Sequence, residues 1–532
     1  MSAISSVSVI QPQVVAKLAA NEPAVSVTAA TTVSSAATSD TVTLGENTRV
    51  PDAQTYTVRG LIANPDVPPA WEYTQQDKVS LNMTGNFASS GAASRFQGLG
   101  ASLLAQLAET NKNISQSVIR SSTGKALEPA ELAAAQAKLH SNAADNSISL
   151  TLKTASGKTV QLTLTSSDNG LAVQAQVSGG ELTADEQAAL GKMSDGFQSA
   201  IDGLTAKPPQ LKLDALTKFD SNVFSSVDLN TRIQLDDKSI QTLELHADAD
   251  GRSVRMSGAS GDLDVSVDLK NSAIIGDANQ QEKALKGYVS QIEAARKRGD
   301  GDAQLLSMFQ DAFTTLHSDY PGTRAATTPQ TVSSIELTQT DHGLLTGLGD
   351  FSASVTEKGK EGNPARPGEL DSFAYKLSQS TQSKGRDQLN RSIVQDQQSS
   401  LVASYHKPLP GANKLDLSTD PASQNYLYYQ INDQASSKTS IGYEKGALIN
   451  ASVAQTASQT TRISRYVMGH LESDTTTPLK SSKNQNFLHV LQQAIQQDKD
   501  AQLGRGTSRL KDTLANIQDK VLLQPDPEKL NG

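Results

Sequence analysis

The sequence predicts an α+β chain in which antiparallel sheets, built as meanders, are each followed by amphipathic helices, behind a disordered N-terminal region. Three observations predict it. Apolar and polar residues alternate with a period of two between Ser147 and Val177. The period changes to helical spacing on either side of that run. Strand runs come in groups before helices, whereas a doubly wound α/β sheet would alternate the two one by one. The 532 residues contain 36% hydrophobic, 4% aromatic and 19% charged residues, enough for small cores and too few charges for wholesale disorder.

Residues 1–80 are rich in Ser, Thr, Ala and Val, hold Pro23, Pro51, Pro65, Pro68 and Pro69, and keep no sustained period, which predicts a disordered leader. Trp71 follows Pro68 and Pro69 and is expected to pack back as an anchor. Phe96, Leu99, Leu103, Leu107, Ile114 and Val118 then predict a helix over about 94–119, and an Ala-rich helix follows from Glu128 to His140. Ile148, Leu150 and Leu152, then Val160, Leu162 and Leu164, then Leu171, Val173 and Val177 predict a three-stranded meander. Thr183 and Glu186 form a capping box, and Leu190, Met193, Phe197, Ile201 and Leu204 make the stripe of a helix ending before Pro208-Pro209.

The scheme then repeats. Strands are expected at 223–234, 239–247, 252–257 and 262–269, followed by a helix carrying Leu285, Tyr288, Ile292 and Ala295 and another carrying Leu305, Phe309, Phe313 and Leu316. Strand-like runs lie around 333–340, 351–357, 372–379, 399–405, 425–432 and 438–468. Two helices with stripes Phe487, Leu491, Ile495 and Leu510, Leu514, Ile517, Val521 close the chain. The expected organisation is an α+β domain at 81–320 with sub-modules 94–206 and 210–320, a linker at 321–332, a mostly β domain at 333–480 and a helical hairpin at 481–532.

Two resemblances attach to this pattern. The order Ile148-Ser-Leu150-Thr-Leu152, a hairpin, Gly179-Gly180-Glu181-Leu182-Thr183-Ala-Asp-Glu186 opening a helix, and Asp220-Ser-Asn-Val-Phe224-Ser-Ser-Val227-Asp228-Leu229 resembles a domain of unknown function in uncharacterised bacterial proteins. It covers about residues 147–230 and implies a bacterial source, with no activity and no site residue. The leader is similar to the uncleaved, Ser-rich leaders of bacterial type III-secreted proteins, which implies export without a cleaved signal; a tail without an address fits the same composition. Its first cation is Lys17, so a cleaved general-secretion signal peptide is not expected. Either a cytoplasmic location or secretion by a leaderless route is compatible with this.

Several function classes fall on composition. No window approaches the roughly 18 consecutive apolar residues of a spanning helix, so no transmembrane segment is expected. The absence of Cys removes thiolate metal sites, iron–sulfur clusters and cysteine nucleophiles. With 56 acidic against 47 basic residues and a net charge of -9, broad nucleic-acid backbone binding is not expected.

Each local template for chemistry fails at a required position. Gly98-Leu99-Gly100 lacks a preceding strand and the third glycine of a dinucleotide fingerprint, and Gly157-Lys158-Thr159 lacks the first glycine of a P-loop; a packed helix and a hairpin turn are expected instead. His246-Ala-Asp248-Ala-Asp250-Gly251 imitates the front of a calcium loop, which makes Asp248 and Asp250 metal candidates. Ser257 stands where the bidentate Glu should be, so no metal and no cofactor is expected. Gly258-Ala259-Ser260-Gly261 is one residue short of a nucleophile elbow, and the carboxylates of Asp262, Asp264 and Asp268 share one strand face. The 7 histidines (His140, His246, His317, His342, His406, His470 and His489) form no ligand motif. Arg296-Lys297-Arg298 complements a helix C-terminus.

Tyr426-Leu427-Tyr428-Tyr429 is the densest aromatic patch, with Phe373 and Tyr375 upstream. On a strand, Tyr426 and Tyr428 face one side and Tyr429 the other, so these three are the candidate partner-binding residues. The sequence therefore predicts a non-enzymatic bacterial interaction or structural protein with a protein partner. Two alternatives stay open: a hydrolase whose site is assembled in three dimensions within 333–469, and a cytosolic scaffold binding through its C-terminal helices.

Overall fold

A computed structural model describes residues 67–531 apart from 74–75, 90, 123–124, 142–143, 236–237, 321–334, 360–361 and 413. Residues 1–66 of the leader expected over 1–80, and the linker at 321–332, therefore lie outside the described residues, whereas residues 67–80 already hold a strand at Ala70–Trp71 and the start of the helix Lys78–Phe87, because Trp71 packs on the core. The backbone forms an α+β fold around one antiparallel sheet of 15 strands. In chain order these are β1 (Ala70–Trp71), β2 (Ile114–Ile119), β3 (Asn146–Thr154), β4 (Thr159–Ser167), β5 (Gly170–Ser178), β6 (Phe224–Gln234), β7 (Ile240–Asp248), β8 (Gly251–Ser257), β9 (Gly261–Asp268), β10 (Asp350–Glu357), β11 (Ser372–Asp387), β12 (Asn390–Pro408), β13 (Tyr426–Glu444), β14 (Ala447–Val467) and β15 (His470–Asn486). The spatial order is β1-β2-β5-β4-β3-β6 and then sequential to β15, so everything after β6 is a meander.

Alternation sets the two faces. In β12, Arg391, Ile393, Gln395, Gln397, Ser399, Leu401 and Ala403 are buried while their neighbours are partly or fully exposed. The buried face is covered by helices Leu99–Thr110 and Ala184–Thr205 over the early strands, and by Ala278–Gly299 and Ala303–His317 over the middle ones. Helices Leu488–Gln502 and Leu510–Val521 and the short helix Pro527–Asn531 cover the last strands. Among the described residues, no helix is long and apolar enough to cross a membrane.

The interval between the expected domains at 81–320 and 333–480 is not a break in the sheet. Strands β9 and β10 pair from Asp268↔Asp350 to Gly261↔Glu357, and one apolar cluster holds residues from Val79 to Leu530. Gly261 has φ 150, and a Cβ there would stand 2.3 Å from the Thr356 carbonyl, so glycine lets β10 approach.

Four expectations are corrected. The helix expected over 94–119 is two helices, Ala92–Phe96 and Leu99–Thr110, and then strand β2. Asn111, at φ 52, closes the second helix in the left-handed conformation. Ile114 and Val118 are four residues apart, a spacing that suits one face of a strand as well as of a helix. The strand expected at 333–340 is instead a short helix, Gln339–His342, started by a capping box of Thr338 and Asp341. The run 438–468 is the hairpin of β13 and β14, reversed at Lys445 (φ 47) and Gly446 (φ 79). The hairpin expected at 481–532 starts later, because β15 continues to Asn486 and the first helix begins at Leu488.

Candidate functional site

The Tyr426 run is assembled into a polar aromatic cluster on the outer sheet face. Tyr426 and Tyr428 are buried there, and Tyr429 turns to the other face, where it stacks on Tyr405 at 4.9 Å between ring centroids. The Tyr426 ring stacks on Tyr466 at 4.8 Å, and the Arg366 guanidinium lies 4.3 Å over Tyr466. Tyr426 Oη donates to Glu369 Oε2 at 2.6 Å and accepts from Asn363 Nδ2 at 2.9 Å. Burial, and then the hydrogen bond to Glu369, raise the Tyr426 pKa above the ordinary tyrosine range.

His406 sits beneath this cluster. Its Nδ1 is 2.6 Å from Asp371 and its Nε2 is 3.4 Å from Glu369, with the side chain 4% exposed. Both ring nitrogens thus face carboxylates, and Ser404 Oγ is committed to the Leu370 carbonyl at 2.6 Å. The imidazole has no nitrogen left to activate a hydroxyl.

Asp248 and Asp250 lie in the β7–β8 turn. Asp248 Oδ1 accepts from the backbone N–H groups of Asp250 and Gly251, each at 2.8 Å, and Asp248 Oδ2 is 3.1 Å from His246 Nε2. His246 Nδ1 is 2.6 Å from Asp228. Burial opposes charge on His246, but the hydrogen bonds to Asp228 and Asp248 outweigh it and raise its pKa. The turn uses the Asp248 carboxylate as a cap and as a partner of His246. Among the described residues no group of three or more His, Asp or Glu side chains is arranged to hold a metal ion.

The remaining motifs resolve into packing. Gly100 lies against the neighbouring helix, where a Cβ would stand 2.5 Å from Ile201 Cδ1. Lys158, at the β3–β4 turn, reaches Glu186 at 2.8 Å. Arg296 and Lys297 pair with Glu293 at 2.8 and 3.2 Å, and Arg298 pairs with Asp433 on β13. Gly299 is the last residue of its helix rather than its cap: Asp300, at φ 56, makes the turn, and glycine at 299 lets the helix approach the Phe373 ring, from which a Cβ would stand 2.8 Å.

Sequence reasoning did not nominate a cleft on the inner face. Between helix Ala278–Gly299, strands β11–β15 and the segment 519–530 lies an open cleft of about 660 Å³. One wall is the chain itself, held by its backbone. Gln397 Nε2 donates to the Val521 carbonyl at 2.8 Å, and Gln397 Oε1 accepts from the Leu523 N–H at 3.0 Å. Gln455 donates to the Leu522 carbonyl at 2.7 Å, Gln459 to Pro525 at 3.3 Å, and Gln291, from the helix, to Leu523 at 2.8 Å. Tyr375 lines the floor, and among the described residues its hydroxyl and Gln291 Oε1 are buried with no hydrogen-bond partner. Burial raises the Tyr375 pKa, so the phenol is neutral. A usable signal existed: Gln395, Gln397 and Ser399 recur every second residue on the face that also carries Leu401 and Ala403.

A second cavity, about 820 Å³, is a trough on the outer face lined by Ser, Thr, Gln and Lys side chains. Its hydroxyls bridge neighbouring strands, as Ser436 and Thr456 do at 2.8 Å. The stripes of the C-terminal helices offer no free groove-binding face: Leu491, Leu514, Ile517 and Val521 pack on Ile393, Ile441, Leu448 and Val453.

No family model, curated protein or solved structure matches this chain.

Proposed function

We propose that the chain is a non-enzymatic bacterial interaction protein that holds a protein partner in the cleft beside residues 521–530. One observation carries this reading. The inner sheet face already grips a peptide backbone through a row of glutamines, and about 660 Å³ of open space continues along that row. The histidine–carboxylate clusters support the same reading, because His406 is saturated and enclosed. The bacterial source rests on the resemblance of residues 147–230. Leaderless export, suggested by the composition of residues 1–80, belongs to the same proposal and is tested by following secretion after deletion of residues 1–50.

Site-directed photo-crosslinking in the producing cell tests the cleft. A photoreactive residue at Gln485, which lines the cleft, should give a discrete adduct. The same residue at Gln398, on the outer face, should not. Equal adducts from both positions, or none from Gln485, would count against the reading.

A further inference from the structure

We propose that the occupant of the cleft is an extended, uncharged peptide segment of a partner protein with aliphatic side chains, and that Tyr375 and Gln291 are the groups that read its backbone. This rests on the cleft reading above and deepens it.

Two buried polar atoms without partners point to a ligand. Tyr375 is 3% exposed, yet among the described residues its hydroxyl bonds to nothing; Gln291 uses its Nε2 on Leu523 and leaves Oε1 unmatched. A buried polar group without a partner has given up its hydrogen bond to water and gained none in return, a loss that a bound molecule can relieve. Gln291 Oε1 needs a donor, and a phenol serves as donor or acceptor. A peptide unit, which carries an N–H and a carbonyl, meets both demands.

The chain supplies an example of that recognition in its own segment 521–525. Gln397 makes a two-way exchange with Val521 and Leu523, accepting from an N–H and donating to a carbonyl two residues earlier. The exchange spans the point where the helix Leu510–Val521 gives way to extended backbone at Leu522, so an amide side chain here satisfies a carbonyl and an N–H two residues apart. Val521, Leu522 and Leu523 of the segment are aliphatic, and Val521 and Leu523 are buried at 0% and 3% exposure.

Charge selects against an ionic occupant. Most charged groups around the cleft are already engaged: Arg298 with Asp433, Lys283 with Asp519 at 2.7 Å and Lys529 with Asp526 at 3.7 Å, while Lys520, which also lines it, lies 5.9 Å from the Phe487 ring centroid. A charged ligand would have to compete with these pairs, whereas an uncharged peptide leaves them in place. Leu401, Ala294 and Leu522 give the cleft apolar wall for aliphatic side chains.

Fluorescence anisotropy with the full chain tests the inference, using end-capped, labelled six-residue peptides in uncharged aliphatic, acidic and basic series. The uncharged series should bind most tightly. Tyr375→Phe should weaken that binding by about 5-fold or more while leaving the melting temperature unchanged or raised, because it deletes a hydroxyl that the free protein cannot satisfy. Gln291→Leu also removes the bond to Leu523, so it should weaken binding and lower the melting temperature together. Tighter binding of a charged series, or an unchanged affinity in Tyr375→Phe, would overturn the inference. If Gln485 crosslinks to a partner while no uncharged peptide binds, the peptide chemistry falls and the cleft reading stands; if Gln485 gives no adduct, both fall.

Discussion

Arg391 places a guanidinium nitrogen 2.6 Å from Asp341 Oδ2 where the two side chains are 3% and 0% exposed. The pair joins the helix turn Gln339–His342 to β12, and the same Asp341 oxygen accepts from the Thr338 N–H at 2.7 Å, closing the capping box. The Arg391 guanidinium also lies 3.9 Å over the Tyr443 ring. Arg391→Leu alone leaves a buried carboxylate, and removing one partner of such a pair costs roughly 3–5 kcal/mol. Arg391→Leu combined with Asp341→Leu should recover part of that loss, short of wild type because the cap is gone. Chemical denaturation midpoints of the three variants check it; a double variant less stable than Arg391→Leu would contradict the argument.

Lys158 and Glu186 form the corresponding link in the early strands. Burial works against charge on Glu186, but hydrogen bonds from Lys158, Ser156 and the Thr183 backbone dominate and bring its pKa from 4.5 to about 2. The folded state holds this carboxylate below its unfolded value, so its contribution is complete above pH 4.5 and is lost as the pH falls towards 2. Glu186→Gln should lower stability at neutral pH and flatten the acid limb in that window. Thermal melts at half-unit pH steps read both effects.

His317 should add a second acid sensitivity at higher pH. It is enclosed between Phe313 and Phe351, with ring centroids 4.2 and 5.0 Å away, and its Nδ1 faces the Phe313 carbonyl at 2.7 Å. Burial lowers its pKa from 6.5 to about 4, the Phe313 carbonyl acts in the opposite sense, and Arg252 adds to the lowering. The unfolded chain binds the proton first, so stability is complete above pH 6.5 and falls as the pH drops towards 4, by on the order of 3 kcal/mol. His317→Phe should remove the loss between pH 6.5 and 4. A variant that retains the full slope would show that other groups cause it.

Among the described residues, strand β15 is the long unpaired edge of the sheet, and it is built to resist pairing. Residues 470–480 are exposed, Pro478 cannot donate to a neighbour, and Lys480 carries a charge along the edge. Replacing both Pro478 and Lys480 by threonine extends the run Thr475-Thr476-Thr477 by a residue that can donate, and leaves the edge uncharged from there to Ser482. Self-association measured by analytical ultracentrifugation should rise at a fixed concentration, with the fold otherwise intact. A monodisperse double variant would mean that this edge needs no protection.

The sequence by itself determined the α+β class, the three-stranded meander at 147–177, the capping box at Thr183 and the stripes of the helices from Leu285, Leu305 and Leu510. Each of these is written in local periods and in side chains that bond to their own backbone. It also determined that Tyr426 and Tyr428 part from Tyr429, since neighbours on a strand point to opposite faces. Only the tertiary structure decided which apolar spacing became β2, because Ile114 and Val118 satisfy both periods until Ala175 and Leu171 lie opposite them. It alone joined β9 to β10 across the interval 321–334, a pairing between residues more than eighty positions apart. The cleft was least legible of all. A buried glutamine such as Gln397 looks like a solvent residue in the sequence, and it becomes an interior one only when the backbone of Val521 and Leu523, far along the chain, satisfies its amide.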